Sequence, residues 1–354
     1  MPESADISSA LKQRVDSAIA DRTPLAIVAG GTKQFMGRLI QAEDFDVSGH
    51  RGVVSYEASE LVLTARAGTP LKTVESTLAE KGQMLAFEPP HFGDGATLGG
   101  TVSCGLSGPR RPYAGGTRDF VLGVTLINGR GEILRFGGEV MKNVAGYDVS
   151  RLVTGSLGTL GAILDISLKV LPIPAEDLTL AFEMDLAEAI QQMNQWAARP
   201  LPLSAACHDG ERLRVRLSGT AGGVKTAAGR IGGERQDGED FWRNLREQRL
   251  EFFSGEGPLW RLSVPPAAPP LALPGQTLVD WGGALRWLKG DADSDSIRSV
   301  VSNAGGHATL FKGGDRTGQV FHPLPPKLLD IHRRLKNAFD PDRIFNPGRM
   351  YEGV

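Results

Sequence analysis

The sequence predicts an α+β protein with two domains, residues 1–172 and 176–320, and a helical tail over residues 321–354. Three observations lead there. At 354 residues the chain is long for a single hydrophobic core. Strand-like and helix-like pieces alternate from residue 24 until two prolines in "LPIPAED" (Leu171–Asp177) end a strand and the composition shifts. Beyond that point the order strand, helix, strand, strand, helix suits an antiparallel sheet with helices on one face.

At the N-terminus, Ile7, Leu11, Val15 and Ile19 recur every four residues, as one face of a packed helix does. The apolar run Pro24–Ile27 then leads into "VAGGTKQFMG" (Val28–Gly37). This loop looks built to hold a phosphate, yet it satisfies neither G-x-G-x-x-G nor G-x-x-x-x-G-K-[ST]. Leu61–Ala67 reads as a strand that ends in Gly68. Thr69 is the expected N-cap and Pro70 the first residue of a helix carrying Leu71, Val74 and Leu78, closed by Gly82. His91–Asp119 has almost no periodicity, and its glycines and hydroxyls predict a ligand-binding loop. Phe120–Asn128, the turn "GRG" and Glu132–Phe136 read as a hairpin. In Ile163–Leu171, the apolar Leu164, Ile166, Leu168 and Val170 alternate with Asp165, Ser167 and Lys169, as in a half-buried strand.

In the second domain the expected elements are strand Leu178–Met184, helix Leu186–Ala198, strands Leu201–Cys207 and Arg212–Leu217, and a helix over Val224–Ile231. A Pro-rich loop (Pro265–Gly275) precedes strand Gly283–Lys289, helix Ser294–Asn303 and strand His307–Phe311. Trp242, Trp260, Trp281 and Trp287 read as core or interface residues. The tail helix starts near Pro325–Pro326 and must stop at Asp340-Pro341.

Composition narrows the function. A net charge of −2 without a basic block argues against nucleic acid as a partner. No apolar run of about 18 residues exists, so direct membrane insertion is not expected. The N-terminus lacks the apolar core of a signal peptide. Two cysteines, Cys104 and Cys207, suggest a reducing, cytoplasmic setting and cannot ligate a four-cysteine iron–sulfur cluster. No metal site is expected, because the six histidines show no H-x-x-H pairing. Glycine is in excess at 45 residues, against a usual share of roughly 7%, and clusters between Gly30 and Gly161. That density suits backbone packed closely around a ligand.

Three further stretches carry a resemblance when read with "VAGGTKQFMG". They are "ATLGGTVSCGLSGPRRPYAGGTRDFVLGVTLINGRG" (Ala96–Gly131), "GGEVMKNVAGYDVSRLVTGSLGTLGAI" (Gly137–Ile163) and "FDPDRIFNPGRM" (Phe339–Met350). In this order they resemble the vanillyl-alcohol-oxidase/PCMH-type FAD-binding family, and within it the small FAD-binding subunits of bacterial glycolate oxidases. The resemblance implies a PCMH-type two-lobed FAD-binding domain, a second α+β (ferredoxin-like) cap domain, and a C-terminal segment packing back on the first domain. It also implies FAD as cofactor and glycolate, a small 2-hydroxyacid, as substrate. The implied partners are a larger FAD-containing catalytic subunit and an iron–sulfur subunit, through which the protein could sit peripherally at the inner membrane.

Carried over residue by residue, the pyrophosphate falls to Ala29, Gly30, Gly31, Thr32 and Lys33. Consecutive backbone N–H groups there can satisfy its oxygens, and the Lys33 ammonium either approaches the phosphates or stays solvated. Thr97, Gly99, Gly100, Thr101 and Ser103 would line the flavin and its ribityl chain, with Gly105 and Gly108 close behind. Gly155, Ser156, Gly158, Thr159, Gly161 and Ile163 would pass the adenosine half, and Asn346 would touch the flavin ring. Leu157 stands where many relatives have a glutamate. Cys104 reads as a packing residue.

For catalysis the sequence offers less. His307 in "GGHATLFKGGD" (Gly305–Asp315) is the remnant of a G-H-x-G-D-G-N type motif, and reads either as catalytic or as an edge histidine. Arg110 and Arg111 either clamp a substrate carboxylate, brace their loop or make a subunit contact. Tyr147 beside Asp148 is a flavin-wall residue or part of a helix cap. A stand-alone flavin oxidase of another small alcohol, or a structural subunit that has lost the flavin, are the alternative readings.

Overall fold

The computed structural model describes residues 4–138 and 149–354. Helix α1 (Ser8–Asp21) buries Leu11, Val15 and Ala18, and Arg22 ends it in the left-handed conformation (φ 53°). Its apolar face packs on β1 (Leu25–Val28) and β2 (Glu43–Asp46), a parallel pair, through Leu25 and Phe45.

A five-stranded sheet follows. Its first strands are β3 (Val53–Glu57) and β4 (Val62–Arg66), then come α2 (Leu71–Ala79) and the short β5 (Gln83–Met84). After α3 (Leu98–Cys104), α4 (Arg111–Ala114) and α5 (Thr117–Phe120), the hairpin β6 (Val121–Ile127) and β7 (Ile133–Gly137) returns to the sheet. Helix α6 (Val149–Leu152) precedes β8 (Ala162–Lys169), and β9 (Leu171–Pro172) pairs with β5. The strand order is β3-β4-β8-β6-β7, antiparallel throughout.

Three expectations are corrected in this half. Strand β8 is the central strand, so Ser167 is buried along with Ile166, while Asp165 and Lys169 stay partly exposed as the alternation predicts. Thr69 does not cap α2: its hydroxyl accepts from Gly52 N (2.9 Å) and reaches Gly52 O (3.2 Å), tying the start of β3 to the helix. The stretch His91–Asp119 is not one continuous loop, since α3, α4 and most of α5 lie in it. Glycines at 99 and 100 cost α3 about 1 kcal/mol each in propensity, but packing demands the first of them. A Cβ on Gly99 would sit 2.7 Å from the Ala67 Cβ.

The cap is one eight-stranded sheet. Its elements are β10 (Glu176–Glu183), α7 (Leu186–Ala197), β11 (Leu203–His208), β12 (Arg212–Gly219), α8 (Ala221–Ile231), β13 (Glu234–Gln236) and α9 (Glu239–Arg246). They continue with β14 (Leu259–Ser263), β15 (Gln276–Asp280), β16 (Leu285–Lys289), α10 (Ser294–Asn303) and β17 (His307–Lys312). The order is β13-β10-β12-β11-β15-β16-β14-β17, with every pair antiparallel. Helices α7 and α8 bury Ile190, Met193 and Val224 against Leu180, Val215 and Leu217 of the sheet. A second cluster joins Trp242, Trp281, Trp287 and Phe311 of the cap to Phe35, Phe92, Cys104 and Leu106 of the first half.

Helix α11 (Pro326–Phe339) then brings the chain back. Phe339 packs on Phe136 of β7, and Phe345 pairs with Leu25 beside β1.

Candidate functional site

Where β1 ends, the chain passes directly over the segment before α3. A Cβ on Gly30 would lie 1.4 Å from the Gly95 carbonyl oxygen, and one on Gly95 would lie 2.7 Å from the Gly30 oxygen. Only two glycines allow this crossing. Among the described residues, the N–H groups of Gly30, Gly31, Thr32 and Lys33 donate to no backbone carbonyl. They form one wall of an open cleft. Opposite stand Thr97, Gly99, Gly100, Ser103 and Cys104 of α3, whose first turn Thr97 caps by accepting from Gly100 N (3.2 Å).

The remaining walls come from distant parts of the chain. Leu157, Gly158, Gly161 and Ile163 form the third, and Asn346 and Arg349 the fourth. Asn346 holds these two together: its Nδ2 donates to Leu157 O (2.6 Å) and its Oδ1 accepts from Ile27 N (2.9 Å). A glycine is required next to it, because a Cβ on Gly158 would lie 2.7 Å from that Nδ2.

The cleft is positively charged. Lys33 is only 7% exposed, so it is not a solvated side chain. Its Nζ donates to His91 O (3.1 Å), and burial holds its pKa below the usual range while Cys104 and Glu247 oppose that shift. Arg349 donates to Gln34 O (2.7 Å). Among the described residues no Asp, Glu, His or Tyr lines the cleft. Burial pushes the Cys104 thiol up to about 11, which leaves it a neutral wall residue.

Of the residues singled out in the sequence, Ala29, Gly30, Gly31, Thr32, Lys33, Thr97, Gly99, Gly100, Ser103, Gly158, Gly161, Ile163 and Asn346 line this one cleft. The others stand behind it. Gly105 and Gly155 touch back to back, since a Cβ on Gly105 would be 3.0 Å from the Gly155 Cα. Gly108 lies under Glu88 and accepts from Trp281 Nε1 (3.0 Å). Ser156 and Thr159 direct their hydroxyls to Val153 O and Ser156 O, closing the Gly-rich turn, and Thr101 is fully buried. Tyr147 and Asp148 lie outside the described residues. Arg110 braces its loop between Glu88 (3.2 Å) and Asp177 (3.6 Å), and Arg111 stacks over Trp281 at 4.3 Å. His307 opens β17 opposite Ser263, exposed at the sheet edge and away from the cleft lining.

Comparison with known proteins settles the family. Residues 5–137 match the FAD binding domain family and residues 313–350 match the C-terminal domain of FAD linked oxidases. Glycolate oxidase subunit GlcE of Escherichia coli (strain K12) is 52% identical over 351 residues, covering 99% of each chain. The chain belongs to the GlcE family of FAD-linked oxidases. Glycolate oxidase subunit GlcD of Bacillus subtilis (strain 168) is 32% identical over 185 residues, which is 51% of this chain and 39% of that one. A solved alkyldihydroxyacetonephosphate synthase, 15% identical, superimposes with a TM-score of 0.66 over 98% of this chain and 75% of its own, which shows the PCMH-type fold.

FAD is the cofactor of this GlcE-family chain, and the cleft fits it. The unbonded N–H groups at 30–33, two cations and no lining carboxylate suit a doubly negative pyrophosphate. Gly158 and Gly161 have no room for a side chain, since a Cβ would lie 2.7 Å from Asn346 Nδ2 at the first and 2.5 Å from Ile127 O at the second. Sequence reasoning missed Gly95 and Arg349. The first shows only in the crossing with Gly30. The second stood in plain view, as the cation three residues after Asn346 in "NPGRM".

Proposed function

We propose that this chain is the FAD-binding subunit of a multi-subunit glycolate (2-hydroxyacid) dehydrogenase that oxidises glycolate to glyoxylate and passes the electrons to an iron–sulfur partner. The carrying observation is the 52% identity to GlcE along essentially the whole length of both chains. In this reading the N–H groups of Gly30–Lys33 bind the pyrophosphate and Lys33 and Arg349 balance its charge. Thr97, Ser103 and Asn346 orient the rest of the cofactor. When bound, FAD supplies the two-electron acceptor.

Removing a hydroxyl proton needs a base, and the cleft lining holds no Asp, Glu, His or Tyr among the described residues. The two cysteines cannot carry a cluster relay. Both points support a partner for catalysis and for onward electron transfer. The test is to purify the chain alone and together with its GlcD-type and iron–sulfur partners, and to assay glycolate with an artificial dye. The expected result is a yellow chain that turns over only in the complex. Robust turnover by the chain alone would instead favour a stand-alone flavin dehydrogenase.

A further inference from the structure

One carboxylate of the cap reaches into the flavin half and ends beside the phosphate loop. Glu247 directly follows α9, and its side chain is only 4% exposed. Its Oε1 accepts from Arg246 Nε (2.8 Å), and both oxygens accept from His91 N (3.2 and 3.1 Å). Oε2 also accepts from Phe92 N (2.8 Å). A carboxylate this buried needs such donors, and the first half supplies two of them from its backbone. Phe92 takes the left-handed conformation there (φ 55°), which is strained for a non-glycine residue.

The bond to Phe92 bears on the FAD cleft. Phe92 N–H and His91 C=O belong to one peptide group, and in a trans peptide they point in opposite directions. Glu247 Oε2 holds the N–H end, while Lys33 Nζ donates to the carbonyl end (3.1 Å). A carboxylate and an ammonium thus grip the two ends of a single dipole, and each strengthens the bond made by the other. Among the described residues the ammonium otherwise meets only Thr32 Oγ1, at a long 3.4 Å, and the face of Phe92 at 5.8 Å. The His91 ring is tied separately, to Glu75 of α2 (2.9 Å). What Glu247 sets is the peptide plane.

We propose that Glu247 is a positioning residue for the cofactor: by fixing the His91–Phe92 peptide from the cap, it keeps the Lys33 ammonium at the cleft wall, where the FAD pyrophosphate meets it. The inference rests on the phosphate role given to Lys33 above. Glu247 does not line the cleft, so flavin affinity comes to depend on how the cap seats against the first half.

FAD affinity is read by titrating the flavin-free, full-length chain with FAD and following flavin fluorescence. Lys33→Met should weaken binding at least tenfold. Glu247→Gln keeps the size but turns an amide toward N–H donors, and should also weaken binding at least tenfold. Added to Lys33→Met, it should cost less than a further threefold, because the peptide then has no ammonium to place. A pH series gives a second readout. Burial lowers the Lys33 pKa and Glu247 opposes that shift, so in Glu247→Gln the affinity should fall at a lower pH than in wild type. The other groups near Lys33 are Arg246, the Glu75-bound His91, the neutral Cys104, Arg349 across the cleft lining, and Lys312 of β17 over the same Phe92 ring (4.7 Å). All of them persist in Lys33→Met, which should lack the displaced fall. If Glu247→Gln does not fold, Glu247→Asp, which draws the carboxylate back by one methylene, goes through the same cycle of variants. An equal loss with and without Lys33, or an affinity that the Glu247 variant leaves unaltered, overturns the positioning role and leaves Lys33 at the phosphates. Unchanged affinity in Lys33→Met overturns both.

Discussion

Lys336 and Asp340 form an ion pair in which neither side chain is exposed at all, with Nζ 2.8 Å from Oδ2. Every remaining valence is met. Lys336 also donates to Thr159 O (2.7 Å) and Phe345 O (2.6 Å), and Asp340 accepts from Ile344 N and Phe345 N (2.8 Å each). One knot therefore joins α11, the Gly-rich turn and the C-terminal return to β1. Lys336→Met strands a buried carboxylate and should destabilise the chain by about 3–5 kcal/mol. A urea titration of the flavin-free chain would read this as a lowered midpoint, and Lys336→Met with Asp340→Asn should recover part of the loss.

The Gly30–Gly95 crossing has no room for a methyl group. Gly30→Ala must displace the segment before α3 or the N–H wall, so FAD affinity should fall by at least tenfold, about 1.4 kcal/mol. The ratio of flavin to protein absorbance after gel filtration measures it. Gly222→Ala, on an open face of α8 with nothing within 4 Å of the added Cβ, is the matched control and should retain full flavin.

Asp280 titrates near 7 rather than 3.8, chiefly because burial disfavours its charge. The folded chain therefore holds a proton between these values that the unfolded chain has lost, and this group's contribution to stability falls as pH rises through 7. Asp280→Asn mimics the protonated form. Relative to wild type, it should be near neutral below about pH 4 and gain about 4 kcal/mol by pH 8, read from paired melting curves.

His307 stands outside the FAD cleft at the sheet edge, and partial burial of its ring, ahead of Arg261 and His322, holds its pKa below the usual range. It is neutral at pH 7. A general acid–base residue contributes about 10²–10⁴ in rate. His307→Gln should change glycolate turnover of the complex by less than about threefold, and a hundredfold loss in kcat would restore it to the chemistry.

Legibility varied with how local the cause was. Helix α10 matched its expected span Ser294–Asn303 because Asp293 caps it and the apolar spacing is regular. The hairpin β6–β7 was equally readable from its turn. By contrast α9, with charges at half of its positions, and β14 and β15, which flank the Pro-rich loop, were not foreseen, since their partners lie far along the chain. The same division runs through the site. "AGGTK" announced a phosphate loop, but its need for Gly95 and the burial of Lys33 under His91 are tertiary facts.

The Asn346 staple, whose hydrogen bond to Ile27 spans 319 residues of sequence, also sets an order of events during synthesis. β1 and the Gly30–Lys33 wall leave the ribosome early, yet the cleft lacks a side until residues past 345 emerge. Contacts this far apart form late, because a long loop must close before they stabilise anything. Flavin capture is thus a post-translational step. Nascent chains stalled before residue 346 should fold their five-stranded sheet and remain colourless, and the cofactor acts as a seal on chains that have been made through to the return.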